Sequence, residues 1–230
     1  MKKFTFLLLG MLTAVVTHAA TVNWSAAIDT GLIDSSGAAL AQGNYVRIGY
    51  FGTLNNAQVA SNALTVSGVS TLDGDFHQFA STTVGFNTGQ SASFQIGSSP
   101  LYLSLSGFVP NSQIYFWALK STNNTSVATA VSTVTQTAIG EVPFANLAAW
   151  QFPASDVATA KTIDLSDLGN ANRQIQAGTY VPGSSASLTP IFGSANHALQ
   201  LATVVPEPSV LAFTALAALA LVGSRRRRQE

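Results

Sequence analysis

Leu101 to Ser106 reads Leu-Tyr-Leu-Ser-Leu-Ser, and a period of two would put Leu101, Leu103 and Leu105 on one face of a half-buried strand. Tyr45 to Phe51 repeats the pattern, with Val46, Ile48 and Tyr50 sharing a face. The next run departs from it. Ile114 to Leu119 is apolar on both faces, which predicts a central strand covered on both sides. Ala148 to Ala154, ended by Pro153, and Lys161 to Asp167 are read as further strands. Gln176 to Pro182 and Leu199 to Val205 are fainter versions of the same pattern. Asp73-Gly74, Val109-Pro110-Asn111 and Pro182-Gly183-Ser184 supply turn signals between them.

Two stretches suggest helices. From Leu54, the positions Leu54, Ala57, Ser61 and Leu64 fall at near-helical spacing, and Ser166 is placed to cap a second helix. Ser121 to Thr137 is low in complexity and reads as a long surface loop or an exposed edge hairpin. Many short strands with few helices predict a mainly β body: an antiparallel β-sandwich or jelly-roll-like domain with one or two short helices. No fixed-period repeat points to a solenoid or propeller.

The two ends of the 230-residue chain differ from this body. Lys2 and Lys3 precede a 13-residue apolar run, Phe4 to Val16, followed by small residues at Thr17 and Ala19. That is the order of a secretory signal peptide over residues 1–19, with cleavage between Ala19 and Ala20, or Ala20 and Thr21 as the near alternative. At the other end, Val210 to Val222 is a second 13-residue apolar run, polar only at Thr214, and Arg225, Arg226, Arg227 and Arg228 follow it. As a helix it would reach about 20 Å against a hydrocarbon core of about 30 Å. Flanking residues Ser209 to Ser224 and snorkelling arginines close the gap, and an all-round apolar surface suits lipid better than a domain face. Basic residues stay cytoplasmic, so both ends predict the same topology, with the body outside.

Charge changes the picture further. Between residues 21 and 205 there are four basic residues, Arg47, Lys120, Lys161 and Arg173, and eight acidic ones. Such a body lacks the basic patch that phosphate neutralisation needs, which argues against nucleic-acid binding. The absence of cysteine removes thiol nucleophiles and Cys-based zinc sites.

Immediately before the apolar tail stands Pro206-Glu207-Pro208, whose prolines favour an extended strip. Pro-Glu-Pro, a short apolar helix over 209–224 and the arginine cluster 225–228, in that order, resemble the PEP-CTERM sorting signal of exosortase substrates. The resemblance covers 205–230 and leaves 20–204 as the exported passenger. It implies that signal peptidase and an exosortase process the chain. The tail would then hold the protein in the inner membrane transiently, before it reaches the envelope surface or an extracellular polysaccharide matrix. The body is more loosely similar to a passenger type that accompanies this signal and carries no assigned activity. Gly31, Asp34, Gly37, Arg47, Gly49, Tyr50 and Phe51 carry that similarity, with Trp150-Gln151-Phe152-Pro153 further on.

Candidate chemistry in the body is thin. His77 and His197 fall in unrelated contexts, and no local signature gathers a serine nucleophile, a base and an acid. Asp73-Gly74-Asp75 offers two carboxylates to calcium, but Phe76 to Phe79 add none, so a tight Asp-Gly turn is the better reading. Asp164 and Asp167 stand close in sequence, while Glu141 stands alone. Trp24, Trp117 and Trp150, with Tyr45, Tyr50, Tyr115 and Phe152, would include the aromatics of a sugar-stacking platform, although Tyr115 and Trp117 suit core packing better. Asn-x-Ser/Thr triplets at Asn23, Asn123 and Asn124 follow from composition. The expectation is therefore a non-enzymatic envelope or matrix protein with no catalytic residue, cofactor or metal. A carbohydrate-binding module of β-sandwich type is the alternative, and a secreted hydrolase the third reading.

Overall fold

The structure is a computed structural model that describes residues 20–26, 30–86, 88, 94–101, 112–141, 161–164, 174–181 and 197–206. The apolar segments and charged ends of both termini, Glu207 and Pro208 among them, lie outside these residues. So do the expected strand around Trp150, the helix at Ser166, the run from Tyr102 to Ser106, and the turns at 109–111 and 182–184.

The chain is mainly β. Its central sheet is antiparallel and is built from β3 (Tyr45–Phe51), β4 (Phe76–Thr83), β6 (Tyr115–Ser121), β7 (Val134–Glu141) and β12 (Ala202–Thr203), in the order β12-β7-β6-β3-β4. The short β9 (Ile175–Ala177) also pairs with β7. A second sheet has the order β10 (Thr179–Val181), β11 (His197–Gln200), β2 (Thr30–Ile33). A third joins β5 (Phe94–Leu101), β1 (Ala20–Ala26) and β8 (Lys161–Asp164). The pairings β11/β2 and β1/β8 are parallel, a departure from the all-antiparallel expectation.

The strand from Tyr115 is central and doubly covered, as its sequence predicts. Ile114, Phe116 and Ala118 join Val46, Ile48 and Tyr50 of β3 in one core, to which the second sheet adds Leu32 and Leu199. Tyr115, Trp117 and Leu119 enter a second core on the opposite face. That core is roofed by three helices: α1 (Asn56–Asn62), α2 (Val66–Asp75) and α3 (Val127–Ser132).

The helices depart most from expectation. The stretch from Leu54 forms two helices joined at a corner, and it buries Val59, Ala63, Val69 and Leu72. Ala57, Ser61 and Leu64, the residues at near-helical spacing after Leu54, are exposed. Asp73-Gly74-Asp75 is the last turn of α2 and not a tight turn. The stretch from Ser121 is neither loop nor edge hairpin: it holds α3 and the interior strand β7. Side-chain caps explain these helices better than periodicity does. Asn55 and Gln58 form a reciprocal capping box, Thr65 accepts from the Gly68 amide at 3.1 Å, and Ser126 accepts from the Thr129 amide at 3.1 Å. Six or seven residues would be marginal helices alone, so packing onto the sheet supplies most of the stability of α1 and α3.

Candidate functional site

Three polar clusters interrupt the cores, two beginning from strand residues within buried runs and one from a turn. Arg47 lies between Val46 and Ile48 on β3, so its side chain points into the helix-covered face and is only 5% exposed. Its Nη1 meets Asp73 Oδ1 at 2.5 Å and its Nε donates to Gln78 Oε1 at 2.7 Å. The guanidinium carbon stands 4.7 Å from the Phe76 ring centre and 4.8 Å from that of Trp117. Burial pushes the guanidinium below its ordinary pKa, and Asp73 pulls it back. A planar cation can fill such a slot because it stacks on rings and hydrogen bonds at its edge.

The second cluster lies at the end of β6 and β7, where Tyr115 and Glu141 are register partners. Asn56, the first residue of α1, accepts a hydrogen bond from the Tyr115 hydroxyl and donates one to Glu141 Oε1. A further donation from Asn56 reaches Gln174 Oε1 at 3.2 Å. Burial raises the Glu141 carboxyl above the usual carboxylate range, although the Asn56 bond works the other way. The same burial, with Glu141 nearby, pushes the Tyr115 phenol up to about 12. This carboxyl has the environment of a general acid, but its hydrogen-bond partners among the described residues include no second carboxylate or base.

The third cluster is the turn after β2. Asp34 Oδ1 accepts from the amides of Ser36 (2.9 Å) and Ala38 (3.0 Å), while Oδ2 binds Lys120 Nζ at 2.7 Å. Against the upward push of burial, Lys120, Ser36 and Ala38 lower its pKa to about 2. Gly37 closes this turn at φ 86°, a conformation that a Cβ would strain.

These contacts account for most of the loosely shared passenger residues in terms of the fold. Asp34 and Gly37 shape a turn, Arg47 joins sheet to helix, and Tyr50 and Phe51 are core. At Gly49, a Cβ would meet the His77 carbonyl at 2.3 Å and the Phe76 ring at 2.8 Å, beside the irregularity in the β3/β4 register. None of them forms a catalytic arrangement with another.

The other candidates separate in the same way. Asp73 serves Arg47, whereas Asp75 accepts from the Thr53 and Leu54 amides and from the Thr53 hydroxyl at 2.7 Å, so both carboxylates are occupied by their own chain. His77 stacks on Tyr50 at 4.7 Å in the central sheet, while His197 belongs to the second sheet. Trp117, Tyr115 and Tyr50 are buried, so they offer no face to a sugar. Asp167, Trp150 and Phe152 lie outside the described residues, as do the side chains of Trp24 and Asp164. Among the described residues no group of three or more His, Asp or Glu side chains is placed to hold a metal, and no helix is long and apolar enough to cross a membrane.

The Asn56–Tyr115–Glu141 cluster and the Arg47 slot were not singled out as sites from sequence. The signal for Arg47 and Glu141 was a charge set within an apolar run, Arg47 between Val46 and Ile48 and Glu141 after Ala138-Ile139-Gly140, whereas Asn56 lies between exposed Asn55 and Ala57. No protein-family model, curated protein or solved structure matches the chain.

Proposed function

We propose that the chain is an exported, non-enzymatic envelope or matrix protein, sorted through a C-terminal PEP-CTERM signal that an exosortase processes. The observation carrying this reading is the order Pro206-Glu207-Pro208, apolar run, Arg225 to Arg228 at one end, with a signal-peptide pattern at the other. The body fits a passenger role. Asp34, Arg47 and Glu141, buried in the body, are occupied in joining elements to one another, and Leu32 and Leu199 of the second sheet share a core with Ile48 and Phe116 of the central one, which supports a sandwich-like reading. The chain also leaves the body in the open: Val205 is 57% exposed and Pro206 is exposed, so the motif would be accessible to a membrane-embedded protease.

Intact-mass measurement on protein recovered from envelope and medium of the native host tests the reading. Loss of residues 1–19 and of everything past the Pro-Glu-Pro region is the expected result. A mature form that keeps the apolar run and arginines would instead describe a permanent inner-membrane anchor.

A further inference from the structure

Leu64 and Val205 are two of the three large apolar side chains that stand exposed among the described residues, at 44% and 57%, and they are neighbours. The Val205 amide donates to the Leu64 carbonyl at 2.9 Å, and Thr65 and Val205 form a parallel bridge. One residue earlier, Val204 is buried and its amide binds the Thr135 carbonyl at 2.8 Å. The exit of the chain is therefore pinned to the corner between α1 and α2.

We propose that this corner, with Leu64 and Val205 at its tip, rests on the lipid surface that holds the chain's own apolar tail. The inference rests on the tail being inserted as the sorting reading requires. Chain length then leaves little choice. The apolar run begins at Val210, and five fully extended residues span at most about 18 Å. The end of the body carrying Val205 must stay within that distance of the hydrocarbon boundary, which is about the depth of the headgroup layer and its hydration. The corner suits contact with lipid headgroups of any charge. Residues 62–67, 133–136 and 203–206, which meet there, contain no Asp, Glu, Lys or Arg. Contact would come from apolar side chains entering the interface, not from counter-charge, and so would be insensitive to salt.

The chain has no cysteine, so single labels can be placed cleanly. The full-length protein, reconstituted into phosphatidylcholine–phosphatidylglycerol vesicles containing a headgroup-nitroxide lipid, would carry a fluorophore at Leu64→Cys, Ala57→Cys or Ala215→Cys in turn. Ala57 is exposed at the far end of α1, beside the Asn56–Tyr115–Glu141 cluster, about 10 Å along the helix from Leu64. Ala215 reports insertion of the tail itself. The expected result is quenching at Ala215 and at Leu64, several-fold weaker quenching at Ala57, and no change on raising salt. Quenching at Ala215 without quenching at Leu64 overturns the corner contact and leaves the sorting reading standing. Equal quenching at Leu64 and Ala57 also overturns it, because the body would then lie on lipid without a preferred face. Absence of quenching at Ala215 removes tail insertion, and the corner contact with it. Val205→Cys provides a second label at the same corner.

Discussion

Removing Asp73 should destabilise the protein more than removing Arg47, although the two form one ion pair. Asp73→Ala leaves a guanidinium on a side chain 5% exposed, held by one neutral partner, Gln78, and two aromatic rings. Arg47→Met removes the charge, keeps an apolar stem between Phe76 and Trp117, and leaves Asp73 with a third of its side chain in water. Breaking a fully buried pair from one side costs about 3–5 kcal/mol. Partial hydration of Asp73 reduces the pair's worth, so we expect about 2–3 kcal/mol for Asp73→Ala and about 1 kcal/mol for Arg47→Met. In a domain of this size each kcal/mol moves Tm by roughly 2–4 °C. The acid-side variant should thus melt roughly 4–12 °C below wild type in far-UV circular dichroism. The double variant is decisive, because eliminating the buried cation should recover part of the loss. If the double variant melts below Asp73→Ala, or if Arg47→Met is the more damaging single change, the uncompensated buried charge is not what governs this slot.

Glu141 and Asp34 should give opposite pH dependences. The folded state raises the Glu141 pKa, so the folded protein holds a proton that the unfolded chain has lost, and the stability it contributes falls as pH rises from about 4.3 through the folded value. Glu141→Gln, which keeps an acceptor for Asn56, should match wild type near pH 4 and melt above it at pH 7.5; a constant difference across that range would sink the assignment. Asp34, lowered to about 2, contributes stability that is present above about 3.9 and lost as pH falls through the folded value. Asp34→Asn should cost about 1–2 kcal/mol at pH 7 and almost nothing at pH 2, read from urea midpoints at the two pH values. Gly49→Ala, whose Cβ would press on a backbone carbonyl at 2.3 Å, should cost about 2–3 kcal/mol, and a neutral effect in the same assay would mean that β3 and β4 can separate freely.

The strands that show in the sequence are those with a strong inside. Val46, Ile48 and Tyr50 share a core as their alternation requires, and the apolar run at Ile114 to Leu119 lies between two cores. Phe76 to Thr83 was not read as a strand because, at the sheet's edge, only Phe76 and Thr82 are buried, so no alternation survives. A helix after Leu54 showed in the spacing, but α2 and α3 were obscured by their composition. Ser, Thr, Asn and Gly dilute the apolar stripe, and capping by Asn55, Thr65 and Ser126 uses the residue types that mark loops elsewhere. The polar clusters were illegible for a different reason: Asn56 and Glu141 are 85 residues apart, and Arg47 and Asp73 are 26 apart, so only the fold brings them together.

The parallel pairing of Thr30–Ile33 with His197–Gln200 bears on the timing of folding. Leu32 and Leu199 sit in one core, and Gln200 Nε2 donates to the Ser35 carbonyl across 165 residues. Were the chain exported N-terminus first, as proposed, the strand that completes this sheet would emerge among the last. The β3/β4 and β6/β7 pairs could form as they appear, but the face over Ile48 and Phe116 would stay open until residue 200 is through. Closing so long a loop carries an entropic penalty that short-range pairings escape. Completion of the fold and arrival of Pro206-Glu207-Pro208 at the membrane are then nearly the same event, so a processing enzyme that acts at the motif would meet a body that has only just closed.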